Sequence, residues 1–242
     1  MEEEKVKAIV LNSKDYKDKD KLIELLTVDD GKITARLKSC KTPSSKLKFA
    51  YQPFCFAEFL LNKQGDNYLV INATEIDSFF NLTKDASNFL YGSFMLELAS
   101  CCCYGQQSSY NIFLNLINAL KSICYDNQNA KVVTIKYCLN MLNILGYNFQ
   151  FDKCCSCKMP FTSQIYLDLD IGEFLCNNCK NLNSIVITKN AFSNMRIISL
   201  TPFEQLSTLK VKEEVLKEII NILVKDFEFR LGFKLKSSNM LI

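Results

Sequence analysis

The sequence predicts an α+β multidomain chain, in which a small N-terminal β-barrel is followed by an α-helical domain that carries an inserted four-cysteine segment. Five short strand patterns occupy the first 80 residues. Apolar residues then recur at helical spacing through most of the remaining chain. Two C-x2-C pairs interrupt this helical region. We therefore expect domain boundaries at 1–80 for the barrel, 81–150 with 184–242 for the helical domain, and 151–183 for the insert.

Apolar and polar residues alternate in short runs along the N-terminal region. Val6, Ala8 and Val10 share one face of the first run, and the Asp30-Gly31 dipeptide after the second run is a strong hairpin signal. The segment 64–67 is expected to turn the fourth run into the fifth. The five predicted strands are 5–12, 21–27, 32–38, 51–62 and 68–80. Five strands in so short a region favour a small closed or partly open barrel.

Helical periodicity begins near residue 85 and returns after the cysteine segment. In the second helix, for example, Ile112, Leu116 and Leu120 recur every four residues and predict one apolar face. A short strand is predicted at 185–187, before the helical pattern resumes. The predicted helices are 85–104, 110–125, 130–146, 189–199, 202–208 and 212–231. The cysteine segment is therefore expected to be inserted into the helical domain.

Four cysteines form two pairs with the spacing of a metal site. Cys154 and Cys157 make one C-x2-C pair, and Cys176 and Cys179 make the other, with eighteen residues (158–175) between them. Two such turns bring four thiolates around one Zn²⁺ in a closed tetrahedron, which leaves no open coordination position. We expect one structural zinc ion and a zinc-finger-like insert. Cys155 competes with Cys154 as a ligand, but the two-residue spacing favours Cys154.

The remaining cysteines and the N-terminus suggest a reducing compartment. A cytoplasmic chain keeps its cysteines as thiols or metal ligands, and we expect those near 101–103, 124 and 138 to pack as small apolar side chains. The acidic start Met-Glu-Glu-Glu-Lys does not resemble a signal peptide. No apolar run is long enough for a transmembrane helix, so no membrane association is expected.

The residue inventory argues against an enzyme. The chain contains no histidine, which removes the commonest general base and every Ser-His or Cys-His nucleophile arrangement. Neither a phosphate-binding P-loop motif nor a G-x-G-x-x-G dinucleotide motif occurs. We therefore predict a binding protein without catalytic residues.

Positive charge is concentrated in one part of the predicted barrel. The net charge is only +3, but residues 31–57 contain six basic residues and no acidic one. A basic loop on a small barrel can follow a phosphate backbone, which makes these residues DNA-binding candidates; a solvated loop explains the charges equally well. Nearby aromatic residues (Phe49, Tyr51, Phe54 and Phe56) are expected in the core rather than at a stacking surface. The six candidates are Lys32, Arg36, Lys38, Lys41, Lys46 and Lys48.

A smaller basic group follows the last predicted helix. Arg230, Lys234 and Lys236 lie at or beyond its C-terminus, where cations interact favourably with the helix dipole. This placement accounts for the cluster without any ligand.

Several stretches of the chain resemble the RecO family of bacterial DNA repair proteins. At the C-terminus, residues 227–237 (FEFRLGFKLKS) look like that family's closing signature. The order of barrel, helices, paired cysteines, helices and Lys-Ser tail agrees as well, and the resemblance covers essentially the whole chain. The N-terminal stretches that carry it are Ala8-Ile9-Val10-Leu11, Asp15-Tyr16, Asp20-Lys21-Leu22, Leu26-Thr27, Gly31-Lys32 and Gln52-Pro53-Phe54.

The resemblance implies a recombination mediator with an N-terminal OB-fold. Members bind single- and double-stranded DNA and anneal complementary strands without covalent chemistry. They engage the C-terminal tail of the single-strand DNA-binding protein and, with the partner RecR, help to load the RecA recombinase. Such a protein is expected in the cytoplasm, associated with the nucleoid. Two alternatives remain open: a zinc-stabilised barrel that binds RNA or DNA without annealing, and an enzyme with an unrecognised site.

Overall fold

The computed structural model describes residues 3–65, 67–103 and 109–241. Contacts within the chain divide it into two compact units, Met1–Tyr125 and Asp126–Ile242. The first unit contains the barrel and two helices, and the second contains three helices and a small sheet. The division of the helical region between both units was not part of the expected domain scheme, whose boundaries remain predictions.

The first unit is built on a closed five-stranded barrel with the strand order β1-β2-β3-β5-β4. β3 and β5 pair in parallel, and the other neighbours pair antiparallel. The predicted barrel is therefore confirmed, although Asp66 in the predicted turn lies outside the described residues. The strands are β1 (Glu3–Tyr16), β2 (Asp20–Thr27), β3 (Lys32–Leu37), β4 (Phe56–Gln64) and β5 (Asn67–Asp77).

Inward-facing side chains of all five strands fill the barrel. Ile23, Leu25 and Phe59 are fully buried, as period-two alternation requires of residues on the inner face of a strand. The aromatic residues that precede β4 join this core or lie beside it: Phe54 is fully buried, and Tyr51 is partly buried against the core cluster. Their predicted place in the core is thus confirmed.

Two helices complete the first unit, α1 (Ala86–Cys102) and α2 (Ser109–Cys124). The side chain of Asp85 caps α1 by accepting a hydrogen bond from the N–H of Asn88 at 2.8 Å. Gly92 allows a close approach of α1 to Phe54, because a Cβ atom at Gly92 would lie 2.9 Å from the Phe54 ring. The predicted helix 85–104 ends two residues early, and Tyr104 lies outside the described residues.

The second unit packs three helices against one another, in each of the three possible pairs. The short predicted helix 202–208 is a 3-10 helix (Phe203–Thr208), which is the geometry that single turns adopt most readily. Within the described ranges, no helix is both long and apolar enough to cross a membrane. The helices are α3 (Ala130–Ile144), α4 (Lys189–Leu200) and α5 (Glu213–Leu231).

A three-stranded antiparallel sheet lies between α3 and α4 in sequence. Its strands are β6 (Ile165–Asp168), β7 (Glu173–Cys176) and β8 (Ser184–Ile187), in the order β7-β6-β8. Only β8 was predicted from the sequence. Because β8 pairs with β6, the sheet of the cysteine segment continues beyond residue 183, where we had expected the insert to end.

Candidate metal centre and nucleic-acid interface

The four predicted ligand cysteines lie together in the second unit. The sulfur atoms of Cys154, Cys157, Cys176 and Cys179 all lie within 4.8 Å of one another. Cys154 is fully buried, Cys157 is exposed, and the other two are half-buried. A group of four thiols from two separate turns is an arrangement that can hold one metal ion.

Backbone hydrogen bonds shape both cysteine turns. In the first, the N–H of Cys154 donates to the Met159 carbonyl at 2.9 Å, and the N–H of Lys158 donates to the Cys154 carbonyl at 2.9 Å. In the second, which follows directly from β7, the N–H of Cys179 donates to the Cys176 carbonyl at 3.1 Å. Each turn thereby directs its two sulfurs to the same side, so the sheet fixes the position of the whole group.

The geometry and the electrostatics of the group both fit a tetrahedral metal ion. Zn–S bonds of about 2.3 Å in a tetrahedron place neighbouring sulfurs about 3.8 Å apart. The sulfurs of Cys157 and Cys176 lie at that distance, 3.8 Å. Burial acts to raise the pKa of the Cys154 thiol, but N–H groups of Cys157, Cys176 and Ser156 outweigh it and lower the pKa to about 6. A thiolate is therefore favoured where a metal requires one.

Cys155 has a different environment from its neighbour. Its N–H donates to the carbonyl of Phe174 on β7 at 3.0 Å, which joins the first turn to the edge of the sheet. Burial, and then the negative charge of Glu173, raise the pKa of its thiol. Its sulfur is not a member of the group of four described above. The structure thus brings together the four cysteines chosen by spacing.

A cluster of phenylalanine rings anchors the cysteine segment to α4. Phe174 of β7 packs edge-to-face on Phe192 of α4, with ring centroids 4.9 Å apart. Phe151 contacts both rings, at 5.3 Å from Phe174 and 5.4 Å from Phe192. Such aromatic contacts add to the hydrophobic gain from burying these rings. The sheet is therefore held to the helices by an apolar core as well as by any metal.

A second anchor joins the β6–β7 turn to α5. Arg230 donates to both oxygens of Asp226, which is fully buried, at 2.8 and 3.0 Å. Its guanidinium carbon lies 3.9 Å from the ring centroid of Tyr147. Gly172 has a φ of +67°, and a Cβ atom at this position would overlap the Arg230 guanidinium. Arg230, which we had assigned to the helix dipole alone, therefore has specific partners.

Four of the six predicted DNA-binding residues have partners within the first unit. Lys32 donates to the carbonyl of Ser100 near the end of α1 at 2.7 Å. Lys41 pairs with Asp15 at 3.2 Å, and Lys48 donates to the Pro43 carbonyl at 2.8 Å. Arg36 pairs with Asp20.

The other two candidates, Lys38 and Lys46, are exposed. Within the described ranges, their side chains make no ion pair or hydrogen bond. They flank a segment that we had expected to be mobile, but the structure packs its start against the barrel. Cys40 is fully buried, and the N–H of Lys41 donates to the Lys19 carbonyl at 3.1 Å. These contacts hold the basic segment beside the turn between β1 and β2.

That turn adds cations and an aromatic ring that the sequence had not singled out. Lys17 and Lys19 are exposed, and Tyr16 is 37% exposed. The guanidinium of Arg36 lies 5.2 Å and the ammonium of Lys17 lies 5.5 Å from the Tyr16 ring centroid. Acidic neighbours masked this turn in the sequence, because Asp15, Asp18 and Asp20 alternate with its lysines. The signal was the pairing of Asp20 with Arg36, which only the barrel register reveals.

Comparison with protein families matches both parts of the chain. Residues 1–80 match the family described as "Recombination protein O N terminal". Residues 83–239 match the family described as "Recombination protein O C terminal". The two matches lie in the same order as the barrel and the region that contains the cysteine group.

Curated relatives agree over most of their length. A protein named DNA repair protein RecO from Clostridium novyi (strain NT) is 29% identical over 219 residues, which are 90% of this chain and 86% of the relative. The protein of the same name from Caldicellulosiruptor bescii is 27% identical over 90% of this chain and 89% of its own. One from Clostridium perfringens (strain 13) is 26% identical over 88% and 87%. From these matches and the two family matches, the chain belongs to the recombination protein O (RecO) family.

Proposed function

We propose that this protein is a non-enzymatic recombination mediator in DNA repair. It binds single- and double-stranded DNA, anneals complementary strands, and helps to load the RecA recombinase onto single strands coated by the single-strand DNA-binding protein. Membership of the RecO family carries the proposal, and the curated relatives are named as DNA repair proteins. The closed five-stranded barrel supports it, because OB-type barrels are frequent nucleic-acid-binding modules.

The DNA-binding surface in this proposal is the basic segment together with the β1–β2 turn. Lys38 and Lys46 are free to neutralise phosphates, and Lys17 and Lys19 extend the cationic surface. Arg36 and Lys41 hold the segment in place through their ion pairs and add positive charge to its edge. Lys32 and Lys48 contribute at the margins, because backbone carbonyls occupy their ammonium groups. Affinity from phosphate neutralisation does not depend on sequence, as annealing of arbitrary strands requires.

Annealing by this surface needs no bond to be made or broken by the protein. Cations that neutralise both phosphate backbones remove the repulsion between two strands. Base pairing and stacking between the strands then supply the driving force. This mechanism agrees with the lack of histidine and of phosphate-binding loop motifs in the sequence. No nucleotide is therefore expected to be consumed.

The cysteine group is proposed to bind one structural Zn²⁺. Cys154, Cys157, Cys176 and Cys179 would be its ligands, and a closed four-thiolate site supplies folding energy but no open coordination position. The metal would fix the two cysteine turns to each other. We assign it no part in DNA chemistry.

Protein partners are proposed from the family alone. They are the C-terminal tail of the single-strand DNA-binding protein and RecR, and the place of action is the cytoplasm, at the nucleoid. A pull-down with intact and tail-deleted single-strand DNA-binding protein tests this part of the proposal. Capture that depends on the tail is expected, and equal capture of both forms would contradict the proposed mode of recruitment.

A further inference from the structure

The four sulfurs of the cysteine group differ in their access to solvent. Cys154 is fully buried, whereas Cys157 is the exposed member of the group. Cys176 and Cys179 are intermediate. Oxidation of a thiolate by a small solute requires contact between the solute and the sulfur atom. A dissolved oxidant therefore reaches Cys157 first.

Hydrogen bonds add to this difference. The N–H of Cys176 donates to the Cys154 sulfur at 3.4 Å, and the side chain of Ser156 hydrogen-bonds the Cys179 sulfur. A hydrogen bond to a thiolate withdraws electron density and lowers its reactivity as a nucleophile. Cys154 and Cys179 are thus protected by bonds to polar neighbours. The sulfurs of Cys157 and Cys176, by contrast, are each other's close contact at 3.8 Å.

The pair formed by Cys157 and Cys176 is placed for a disulfide bond between the two turns. Bonded sulfurs lie about 2.0 Å apart, so the pair needs to close by less than one atomic diameter. Cys157 ends the first C-x2-C turn, and Cys176 begins the second at the end of β7. The exposed side of the first turn leaves Cys157 free to make this movement.

We propose that Cys157 is a site of oxidative modification, at which hydrogen peroxide converts the cysteine group into a Cys157–Cys176 disulfide and releases the bound metal. The inference rests on the proposed zinc site. It adds that the site responds to oxidant, and that the response begins at one particular sulfur.

The chemistry balances with peroxide as the oxidant. The Cys157 thiolate attacks one peroxide oxygen, an S–O bond forms, the O–O bond breaks, and the departing hydroxide takes a proton to become water. The Cys176 thiolate then attacks the sulfenic sulfur, an S–S bond forms, and the S–O bond breaks with loss of a second hydroxide, which also becomes water. The two sulfurs lose two electrons in total, and the peroxide gains them.

Metal release follows because only Cys154 and Cys179 remain as ligands, and a structural zinc site needs four. The rest of the second unit is expected to stay folded. Strand β7 keeps its pairing with β6, and Phe174 keeps its contact with Phe192 at 4.9 Å. The change is therefore confined to the two turns, and thiol–disulfide exchange with a reductant reverses it.

The test uses the full-length, metal-loaded protein and limiting amounts of hydrogen peroxide. A colorimetric chelator follows metal release, and mass spectrometry after alkylation and tryptic digestion identifies the disulfide. Cleavage at Lys153, Lys158 and Lys180 places Cys157 and Cys176 in different peptides, so their disulfide appears as a cross-link between peptides. We expect about one metal ion released per disulfide, a link between Cys157 and Cys176, and recovery of metal binding after reduction.

A matched variant and a prior metal analysis separate the possible outcomes. Cys155→Ser removes the neighbouring thiol and should give the same link at the same rate. A link through Cys154 or Cys155, or metal that is retained under peroxide, would overturn the inference and leave the zinc site intact. Protein that contains no zinc before oxidant is added would contradict the proposed zinc site itself, and the release step with it.

Discussion

Arg36 donates two hydrogen bonds to one oxygen of Asp20, from Nε at 2.9 Å and from Nη2 at 2.6 Å. The other carboxylate oxygen accepts the N–H of Ser39 at 2.8 Å. Asp20 begins β2, so a single carboxylate holds both β3 and the start of the basic segment. A residue that the sequence suggested as a DNA contact is therefore first a structural residue of the barrel.

Replacement of Asp20 by Asn should destabilise the protein in a pH-dependent way. Hydrogen bonds from Ser39 and then Arg36 lower the pKa of Asp20. A carboxyl group with a lowered native pKa stabilises the fold above its pKa in the unfolded chain, about 3.9, and this stabilisation is lost as the pH falls through the native value. We expect Asp20→Asn to lower the Tm by about 5 °C at pH 7, with the difference shrinking below about pH 4.

Circular dichroism melting curves at pH 7 and at pH 3 measure both quantities. Asp18→Asn is the control, because Asp18 is exposed in the same turn and no ion pair of Asp18 occurs within the described ranges. It should leave the Tm nearly unchanged at both pH values. A Tm loss for Asp20→Asn that is equally large at pH 3 would argue against the ion pair as its cause.

Removal of Lys38 and Lys46 together should weaken DNA binding through the salt-dependent part of the affinity. Both side chains are exposed and free to contact phosphates. Each lost phosphate contact lowers the slope of log K against log salt concentration by about 0.9, so the double Ala variant should lose about two units of slope. Fluorescence anisotropy with a labelled single strand, at several salt concentrations, measures the slope.

Two further variants distinguish contact from general charge. Lys32→Ala should preserve the slope more nearly, because the Lys32 ammonium is bound to the end of α1. Lys210→Ala with Lys217→Ala removes two exposed charges from the second unit and should also preserve it. An unchanged slope for Lys38→Ala with Lys46→Ala would remove the basic segment from the DNA-binding surface.

The sequence predicted the periodic parts of this fold well. The predicted 130–146 and 212–231 helices agree with α3 and α5 to within two residues at each end, because long apolar faces have an unambiguous period. Strands β6 and β7 were missed, because four residues are too few to establish alternation. The four ligand cysteines were selected correctly as a group in space, since their spacing limits the geometry of each turn.

The sequence did not reveal which cations have partners. The Arg36–Asp20 pair joins residues from two strands, and its existence depends on the pairing of Leu22 with Arg36 across β2 and β3. Arg230 likewise meets Gly172 from a distant turn. Ion pairs and close approaches of this kind depend on tertiary register, which local periodicity does not specify.

Metal content offers a direct test of the cysteine group. Purified protein should contain about one zinc per chain. Cys176→Ser should lose the metal and lower the Tm, because a closed thiolate site contributes folding energy directly. Cys155→Ser should keep both metal and stability. Elemental analysis with thermal unfolding measures these effects, and loss of zinc in the Cys155 variant would show that the ligand assignment is wrong.

Gly172→Ala tests the anchor between the β6–β7 turn and α5. An added Cβ atom would meet both the unfavourable φ of +67° and the guanidinium of Arg230. We expect a loss of about 3 kcal/mol in the free energy of unfolding from strain and overlap combined. Gly232→Ala is the control, since its φ is +74° but no described atom outside its chain neighbours lies within 4 Å of the added Cβ. It should cost about 1 kcal/mol. Equal losses in urea unfolding would show that the contact with Arg230 is unimportant.

Strand annealing tests the central claim most directly. A fluorescence-quenching assay with two complementary labelled strands, with and without their cognate single-strand DNA-binding protein, measures the pairing rate. The mediator account predicts faster pairing on bare and coated strands with no nucleotide added, and loss of the effect on coated strands alone when the acidic, apolar tail of the binding protein is deleted. Bare strands that pair no faster with the protein than without it would contradict the account.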